Sequence, residues 1–400
     1  MECFTKSFTQ QEPLPEAAIE AAVAVMRHGR LHRYNTVAGE VSETAQLELD
    51  FAAITGAHYA LAMASGGTAL ACALRAIGVP DGAPVLTNAF TLAPVPGAIA
   101  AVGAVPVFVE TTANLVMDLD DLAAKIDASG ARYLMLSHMR GHIVDMDALM
   151  ALCDAREVTV IEDCAHTMGA AWDGVPSGRH GRVGCYSTQT FKHVNSGEGG
   201  FLVTDDAEVM ARAIILSGSY MLYESHRAAP PVETFARIRY ETPNTSGRMD
   251  NLRAAILRPQ LAALRPQCDA WNARYDRLTA ALEGTQGLRL IPRPAKEAYV
   301  MSSFQASCPD FEAADMQSLV TAAAARGVEL KWFGAAEPKG FTSRHDSWAY
   351  APAQSLPKTD RVLAALIDMR LPLTFTLDDI DLVGRILREE VSRLVQAKAA

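Results

Sequence analysis

The sequence predicts an α/β protein with a mostly parallel central sheet and a smaller α+β domain toward its C-terminal end. Three observations carry this prediction. Short apolar runs alternate with helical stretches along the first 250 residues, as strands and crossover helices do. Beyond Asp250 the texture changes to a long helical periodicity followed by mixed elements. A length of 400 residues exceeds one small core, so a large domain over 1–250 and a bridging helix with a small domain over 251–400 are expected.

Pro15 opens a first helix that carries Ile19, Ala22, Val23 and Met26 on one face, and Gly29 ends it. A second begins near Ser42, repeats Leu47, Phe51 and Ile54, and stops at Gly56. His58 to Ser65 reads as a strand, Gly66-Gly67 as a turn, and Thr68 to Ile77 as a helix closed by Gly78. Apolar strands recur at Pro84 to Leu86, Val105 to Val109, Tyr133 to Ser137, Val158 to Asp163 and Phe201 to Thr204. Helical stretches such as Leu119 to Ile126 and Met146 to Cys153 fall between several of them. Ligands of such a sheet sit at the carboxyl ends of its strands. Farther on, Leu264, Cys268, Trp271, Tyr275, Leu278 and Leu282 step by three and four along a bridging helix that Pro259 and Pro266 should kink or segment. A strand-like Leu288 to Ile291, a helix near Met316 to Arg326 and a final helix Asp378 to Ala397 complete the small domain.

Composition narrows the function. With 36 basic against 46 acidic side chains the formal charge is −10, which argues against a general nucleic-acid or acidic-membrane surface. The uncharged stretch from Gly82 to Val109 is cut by Pro94, Pro96, Gly97, Gly103 and Pro106, so it reads as buried interior and not as a membrane span. The 7 cysteines form no CxxC pair, and no signal peptide is visible at the start, so a cytoplasmic protein is expected.

Chemistry concentrates in three places. Val160 to Asp163 ends in Glu162-Asp163, followed by Cys164-Ala165-His166, an acid and an imidazole at the ligand side of the sheet. Ser187-Thr188-Gln189-Thr190-Phe191-Lys192 sets one lysine among hydroxyls, just before the glycine-rich Ser196 to Gly200. Ser65-Gly66-Gly67-Thr68 offers free backbone N–H groups at a helix start, which favour phosphate. Together they supply what pyridoxal phosphate requires: a phosphate cup, an amine for covalent attachment and proton transfer (Lys192), and a carboxylate for the ring nitrogen (Asp163). His166 then lies beside the ring. A zinc site from His138, His142, Cys164 and His166 is not expected, because no closed ligand set is spaced for it. Gly66-Gly67 also lacks the spacing of a dinucleotide fingerprint.

The chain resembles the DegT/DnrJ/EryC1/StrS family of pyridoxal-phosphate-dependent sugar aminotransferases, which have the aspartate-aminotransferase type I fold. Ser65 to Leu70 is similar to the family's phosphate loop, and Asn88-Ala89-Phe90-Thr91 to its aromatic-Thr stretch, which implies Phe90 as the ring-stacking residue. Glu162 to His166 is similar to its E-D-A-A-Q/H element, and Cys185 to Lys192 with Gly197 to Gly200 resembles its C-F-S…K…G-E-G-G signature, whose Ser (Ser187) binds phosphate and whose Lys (Lys192) carries the cofactor. Arg248 to Ala255 resembles the N-Y-R-M-S-x-x-Q-A-A segment, and Leu356 to Asp360, Leu371-Pro372-Leu373 and Leu377 to Ile380 its C-terminal motifs. The Asn expected two residues before Arg248 is Ser246, for which Asn244 or Arg248 itself is the substitute.

The resemblance implies a transaminase that uses glutamate or glutamine as donor and a keto-sugar, keto-cyclitol or related small carbonyl as acceptor. It also implies a homodimer in which Asn244, Ser246 and Arg248 reach the cofactor phosphate of the partner subunit. The alternatives are a dehydratase, whose family members have histidine where Lys192 stands, and a non-catalytic cofactor-binding regulator, which needs no complete proton-transfer set. Leu330-Lys331-Trp332-Phe333-Gly334 and Thr374 depart from the family pattern, so a nucleotide-bearing acceptor is not implied. The basic, aromatic-flanked segment with Lys331, Lys339, Arg344 and His345 reads either as a site for a phosphate or carboxylate or as a solvated loop.

Overall fold

The computed structural model describes residues 2–340 and 342–399. Seven strands, β1 (Tyr59–Met63), β2 (Pro84–Asn88), β3 (Val105–Val109), β4 (Tyr133–Ser137), β5 (Thr159–Asp163), β6 (Val183–Ser187) and β7 (Gly200–Thr204), form one sheet in the order β1-β7-β6-β5-β4-β2-β3. Strands β2 to β6 run parallel, while β7 is antiparallel to both β6 and β1. The apolar runs are continuous because both faces are covered. On one face the helices Gly66–Ala76, Pro94–Ala101 and Ala207–Gly218 bury Leu70, Leu74, Ile99 and Ile214 against it. On the other, Glu43–Thr55, Leu119–Ser129, Met146–Asp154 and Asn251–Ala262 bury Leu47, Phe51, Leu122, Leu149 and Leu257.

One local reading changes. Gly66 and Gly67 are not a turn but the first residues of a helix, capped by Ser65, whose Oγ accepts the Thr68 N–H at 3.0 Å. The bridging stretch is segmented, as its prolines led one to expect, into Asn251–Ala262 and Leu264–Leu282, separated at Ala263. Pro266 sits in the first turn of the second, where its missing N–H costs nothing.

That second helix crosses two cores: Leu264, Cys268 and Trp271 pack with the large sheet, while Tyr275, Leu278 and Leu282 pack with the second core. The second core covers the antiparallel sheet of β8 (Arg289–Leu290), β9 (Ser303–Ser307), β10 (Lys331–Trp332) and β11 (Leu366–Arg370), in the order β8-β9-β11-β10. Helices Ala313–Ala325 and Leu377–Ala399 close it. Phe4 and Phe8 join it from the far end of the chain, edge-on to Phe375 at 4.8 and 4.9 Å. Among the described residues no helix is long and apolar enough to cross a membrane.

Candidate active site

The parallel strands deliver their last residues to one edge of the sheet: Asn88 from β2, Ser137 from β4, Asp163 from β5 and Ser187 from β6. Around Ser137 a hydrogen-bonded line runs from Thr91 to Asp163, and the Ser137 N–H donates to Asn88 Oδ1 at 2.8 Å. Thr91 Oγ1 donates to Ser137 Oγ at 2.9 Å, and Ser137 Oγ donates to Asp163 Oδ2 at 2.9 Å. The Ala165 N–H donates to Asp163 Oδ1 at 3.1 Å, so the carboxylate is oriented at both oxygens. Its neighbour Glu162 points the other way and is fully buried. It accepts from His138 Nε2 and from the N–H groups of Gly178, His180 and Gly181. Burial alone would raise that carboxyl, and these donors overcome it and hold it below the usual range. Glu162 is therefore a structural tie.

Lys192 lies beyond β6, after a turn that returns through the glycine-rich segment to β7. Its Nζ is 2.8 Å from His166 Nε2. The Arg140 N–H donates to His166 Nδ1 at 3.3 Å. A backbone N–H can only donate, so Nδ1 accepts, and the neutral ring carries its proton on Nε2, facing the amine. Burial, aided by the neighbouring Arg140 and Arg370 and opposed by Asp163, brings the Lys192 amine down to about 7. Burial also pushes His166 well below its ordinary value, with Lys192 and Arg140 adding to it. An unprotonated amine of this kind is a nucleophile at neutral pH.

A cleft of about 460 Å³ opens over these groups, and Gly66, Gly67, Asp163, His166, Ser187 and Lys192 all line it. The N–H groups of Gly66 and Gly67 donate to nothing among the described residues. A Cβ at Gly66 would come within 2.8 Å of Ser187 Cβ, so glycine lets the helix start approach the Ser187 hydroxyl. Free N–H groups, a hydroxyl and a helix N-terminus are the donor set a phosphate requires, and an oriented carboxylate and a buried amine stand beside it. The residues present fit pyridoxal phosphate.

Other expected residues lie elsewhere. Thr68 bonds Ser65 through its Oγ1 at 2.8 Å and faces an adjoining groove with Cys72, Arg75 and Thr245. Phe90 does not face the cleft: it is 2% exposed, packs with Leu115, Met139 and Leu366, and meets Phe333 edge-on at 5.1 Å. Leu92 lines the cleft instead. Asn244, Ser246 and Arg248 line none of it. Arg248 pairs with β1 through a bridge to Met63, bonds His32 at 3.1 Å and lies over the Tyr220 ring. His193, next to the lysine, is a buried ring edge-on to Trp271 whose nitrogens meet no partner among the described residues. Arg344 and His345 pair with Asp360, which leaves Lys331 as the basic residue of that segment ion-paired to Asp368 at the cleft.

The reading of the sequence missed Arg140 and Arg370, both of which line the cleft. Arg140 follows the end of β4 in a left-handed conformation (φ 57°), and Arg370 ends β11 just before Leu371-Pro372-Leu373. Their places at strand carboxyl ends are the signal that could have found them. Glu162, His138 and Cys164 also bring their ligand atoms within 4.8 Å of one another, but Glu162 already meets four donors.

Solved structures share this architecture. The aminotransferase TlmJ from Streptoalloteichus hindustanus superposes with a TM-score of 0.82 at 24% identity, covering 98% of this chain and 100% of that one. DesV from S. venezuelae gives 0.78 at 27% identity, with 94% of each chain covered. The fold is the type I fold of pyridoxal-phosphate-dependent transferases. Residues 15–388 match the model of the DegT/DnrJ/EryC1/StrS aminotransferase family, and the chain belongs to that family. Among curated relatives, it is similar to the L-glutamine:2-deoxy-scyllo-inosose aminotransferase of Streptoalloteichus tenebrarius, 30% identical over 84% of this chain and 78% of the relative. It is likewise 30% identical to the 3-amino-5-hydroxybenzoate synthase of Amycolatopsis mediterranei, over 66% of each. The chain spans 53% of a relative from Micromonospora echinospora and 61% of the dTDP-3-amino-3,4,6-trideoxy-alpha-D-glucose transaminase of Streptomyces venezuelae.

Proposed function

We propose that this protein is a pyridoxal-phosphate-dependent aminotransferase that moves an amino group from glutamine or glutamate to a keto-sugar, keto-cyclitol or related small carbonyl. The observation that carries the reading is the 2.8 Å contact of Lys192 Nζ with His166 in a cleft shared with Asp163 and the free helix start at Gly66. When bound, pyridoxal phosphate supplies an electron sink that lets a substrate Cα–H bond break. Lys192 anchors the cofactor and afterwards carries the proton to and from substrate carbon. Asp163, fixed by Ser137 and Ala165, holds a proton on the ring nitrogen. Gly66, Gly67 and Ser187 bind the phosphate, and His166 contacts the ring. Leu92, not Phe90, is the side chain placed to cover it.

Relatives named for transfer from L-glutamine to 2-deoxy-scyllo-inosose and for a dTDP-sugar support the donor and acceptor classes. The reading includes a cytoplasmic homodimer in which Asn244, Ser246 and Arg248 complete the partner's phosphate site. The test is spectroscopic. Glutamine or glutamate added to the loaded protein should convert it to the pyridoxamine form, and a keto-cyclitol or keto-sugar should return the original absorbance. A loaded protein that no amino donor converts would refute the reading.

A further inference from the structure

A second cavity, of about 100 Å³, adjoins the cleft at the Lys192 turn, where Phe191, Lys192 and Ser302 line both. Much of its wall is polar. Asn195, Gln260 and Gln267 line it, together with the segment from Gln10 to Pro15 near the start of the chain. Gln260 is spent on the turn itself: its Oε1 accepts the Asn195 N–H at 2.9 Å and its Nε2 donates to the Asn195 carbonyl at 2.8 Å. On the other side the Lys192 N–H donates to the Gln189 carbonyl at 2.8 Å. Between these two anchors stands His193. It is 2% exposed and lines this cavity but not the cleft, and neither of its ring nitrogens meets a partner among the described residues. Trp271, edge-on to it at 5.1 Å, gives its own N–H to the Leu371 carbonyl. Burial, with the Lys192 charge added, brings His193 down to about 3. The neutral ring offers one donor and one acceptor, and leaving both unmade is costly. Polar cavities of this size hold a few waters, whereas apolar ones stay dry.

We propose that this cavity is a water site anchored by His193, through which the Lys192 amine exchanges its protons with solvent. It rests on the reading of Lys192 as the group that carries a proton to and from substrate carbon. The proton taken from carbon makes Nζ an ammonium with three hydrogens. One of them passes to an adjoining water while the water chain returns another, so charge and proton count are unchanged and only the identity of the proton is lost. Glu12 and Pro13 on the cavity wall are exposed, which opens the chain of waters toward bulk solvent. His193 is a positioning residue in this scheme, acting through the waters it holds.

The test is isotopic. Glutamate deuterated at Cα is reacted with loaded protein in ordinary water and quenched within the first turnover, and mass spectrometry reads the deuterium in the released pyridoxamine phosphate. Wild type should retain little of the label. His193→Phe keeps a ring against Trp271 but cannot hold water, and it should raise retention severalfold, toward a ceiling of about one third set by one label among three ammonium hydrogens. His193→Gln keeps a donor and an acceptor and should stay near wild type. A substitution that merely loosened the turn would admit water and lower retention, so the sign separates the two effects. Diffraction from crystals of the protein without cofactor gives a second readout, which stands even if His193→Phe does not fold: ordered water within about 3.2 Å of both His193 ring nitrogens. Equal retention in wild type and His193→Phe, or ring nitrogens without water, overturns the inference. If no donor converts the cofactor, the transaminase reading fails while the diffraction result still stands. If conversion proceeds and retention does not move, only the water site falls.

Discussion

His166 Nε2 lies 2.8 Å from Lys192 Nζ while Nδ1 of the same ring takes the Arg140 N–H. The imidazole is thereby held with its remaining proton toward the amine. Together with burial, which brings the amine to about 7, this predicts a free nucleophile at neutral pH. Cofactor capture by the apoprotein should accelerate as pH rises and level off above about 7, because only the unprotonated amine attacks. An ordinary lysine would keep gaining rate toward about pH 10.4. Stopped-flow absorbance across pH measures this, and a rate still climbing at pH 9 would refute the depressed amine.

Borohydride treatment of the loaded protein should fix the cofactor on Lys192 and on no other lysine. Lys331 is the competitor to watch, since it lines the same cleft. Peptide mapping that recovers the label on Lys331 would move the attachment point.

Asp163→Asn should leave the cofactor bound and slow the donor half-reaction by about a hundredfold or more, since a neutral amide cannot hold the ring-nitrogen proton. Ser137→Ala removes one of the two groups that orient the carboxylate and should cost less. Unchanged turnover in Asp163→Asn would place a different acid at the ring nitrogen.

How far the sequence reaches is visible in these residues. Lys192, Asp163 and the phosphate-binding character of Ser65 to Thr68 stand out in the sequence because each sits in a short run whose chemistry is local, although the helix there begins at Gly66 and not at Thr68. Phe90 was assigned from the resemblance alone, and a short loop motif after β2 does not say which of its side chains turns into the cleft; Leu92 does, while Phe90 packs inside. β6 escaped notice because Gly184 interrupts its apolar run. There a Cβ would lie 2.4 Å from the Gly178 carbonyl oxygen. Arg140 and Arg370 were invisible as a pair, since positions 230 residues apart meet only once two sheets have packed together.

Adjacent glycines should respond differently to a methyl group. Gly66→Ala drives a Cβ to 2.8 Å from Ser187 Cβ and should cost about 1 to 3 kcal/mol of stability, whereas at Gly67 the nearest atom is 3.8 Å away. Gly67→Ala should fold as well as the parent, helped by the higher helix propensity of alanine. Thermal melting of the apoproteins distinguishes them, and equal midpoints would disprove the close approach.

The last prediction concerns the segment Asn244 to Arg248. Ser246 is held at φ 53°, with its N–H on Asn244 Oδ1 at 3.0 Å, and Arg248 is stacked on the exposed Tyr220, so the segment is shaped yet lines none of its own cleft. A buried phosphate dianion requires several charge-assisted donors, and Gly66, Gly67 and Ser187 leave room for one more. In the proposed homodimer that donor comes from the partner subunit. Mixing inactive Lys192→Ala protein with inactive Asn244→Ala/Ser246→Ala/Arg248→Ala protein under subunit exchange should then restore about a quarter of wild-type activity, because half the dimers are mixed and each holds one intact site. A segment acting within its own chain restores nothing, since every site then carries one lesion. Proven exchange without recovery, or a monomer that turns over normally, would exclude the shared site.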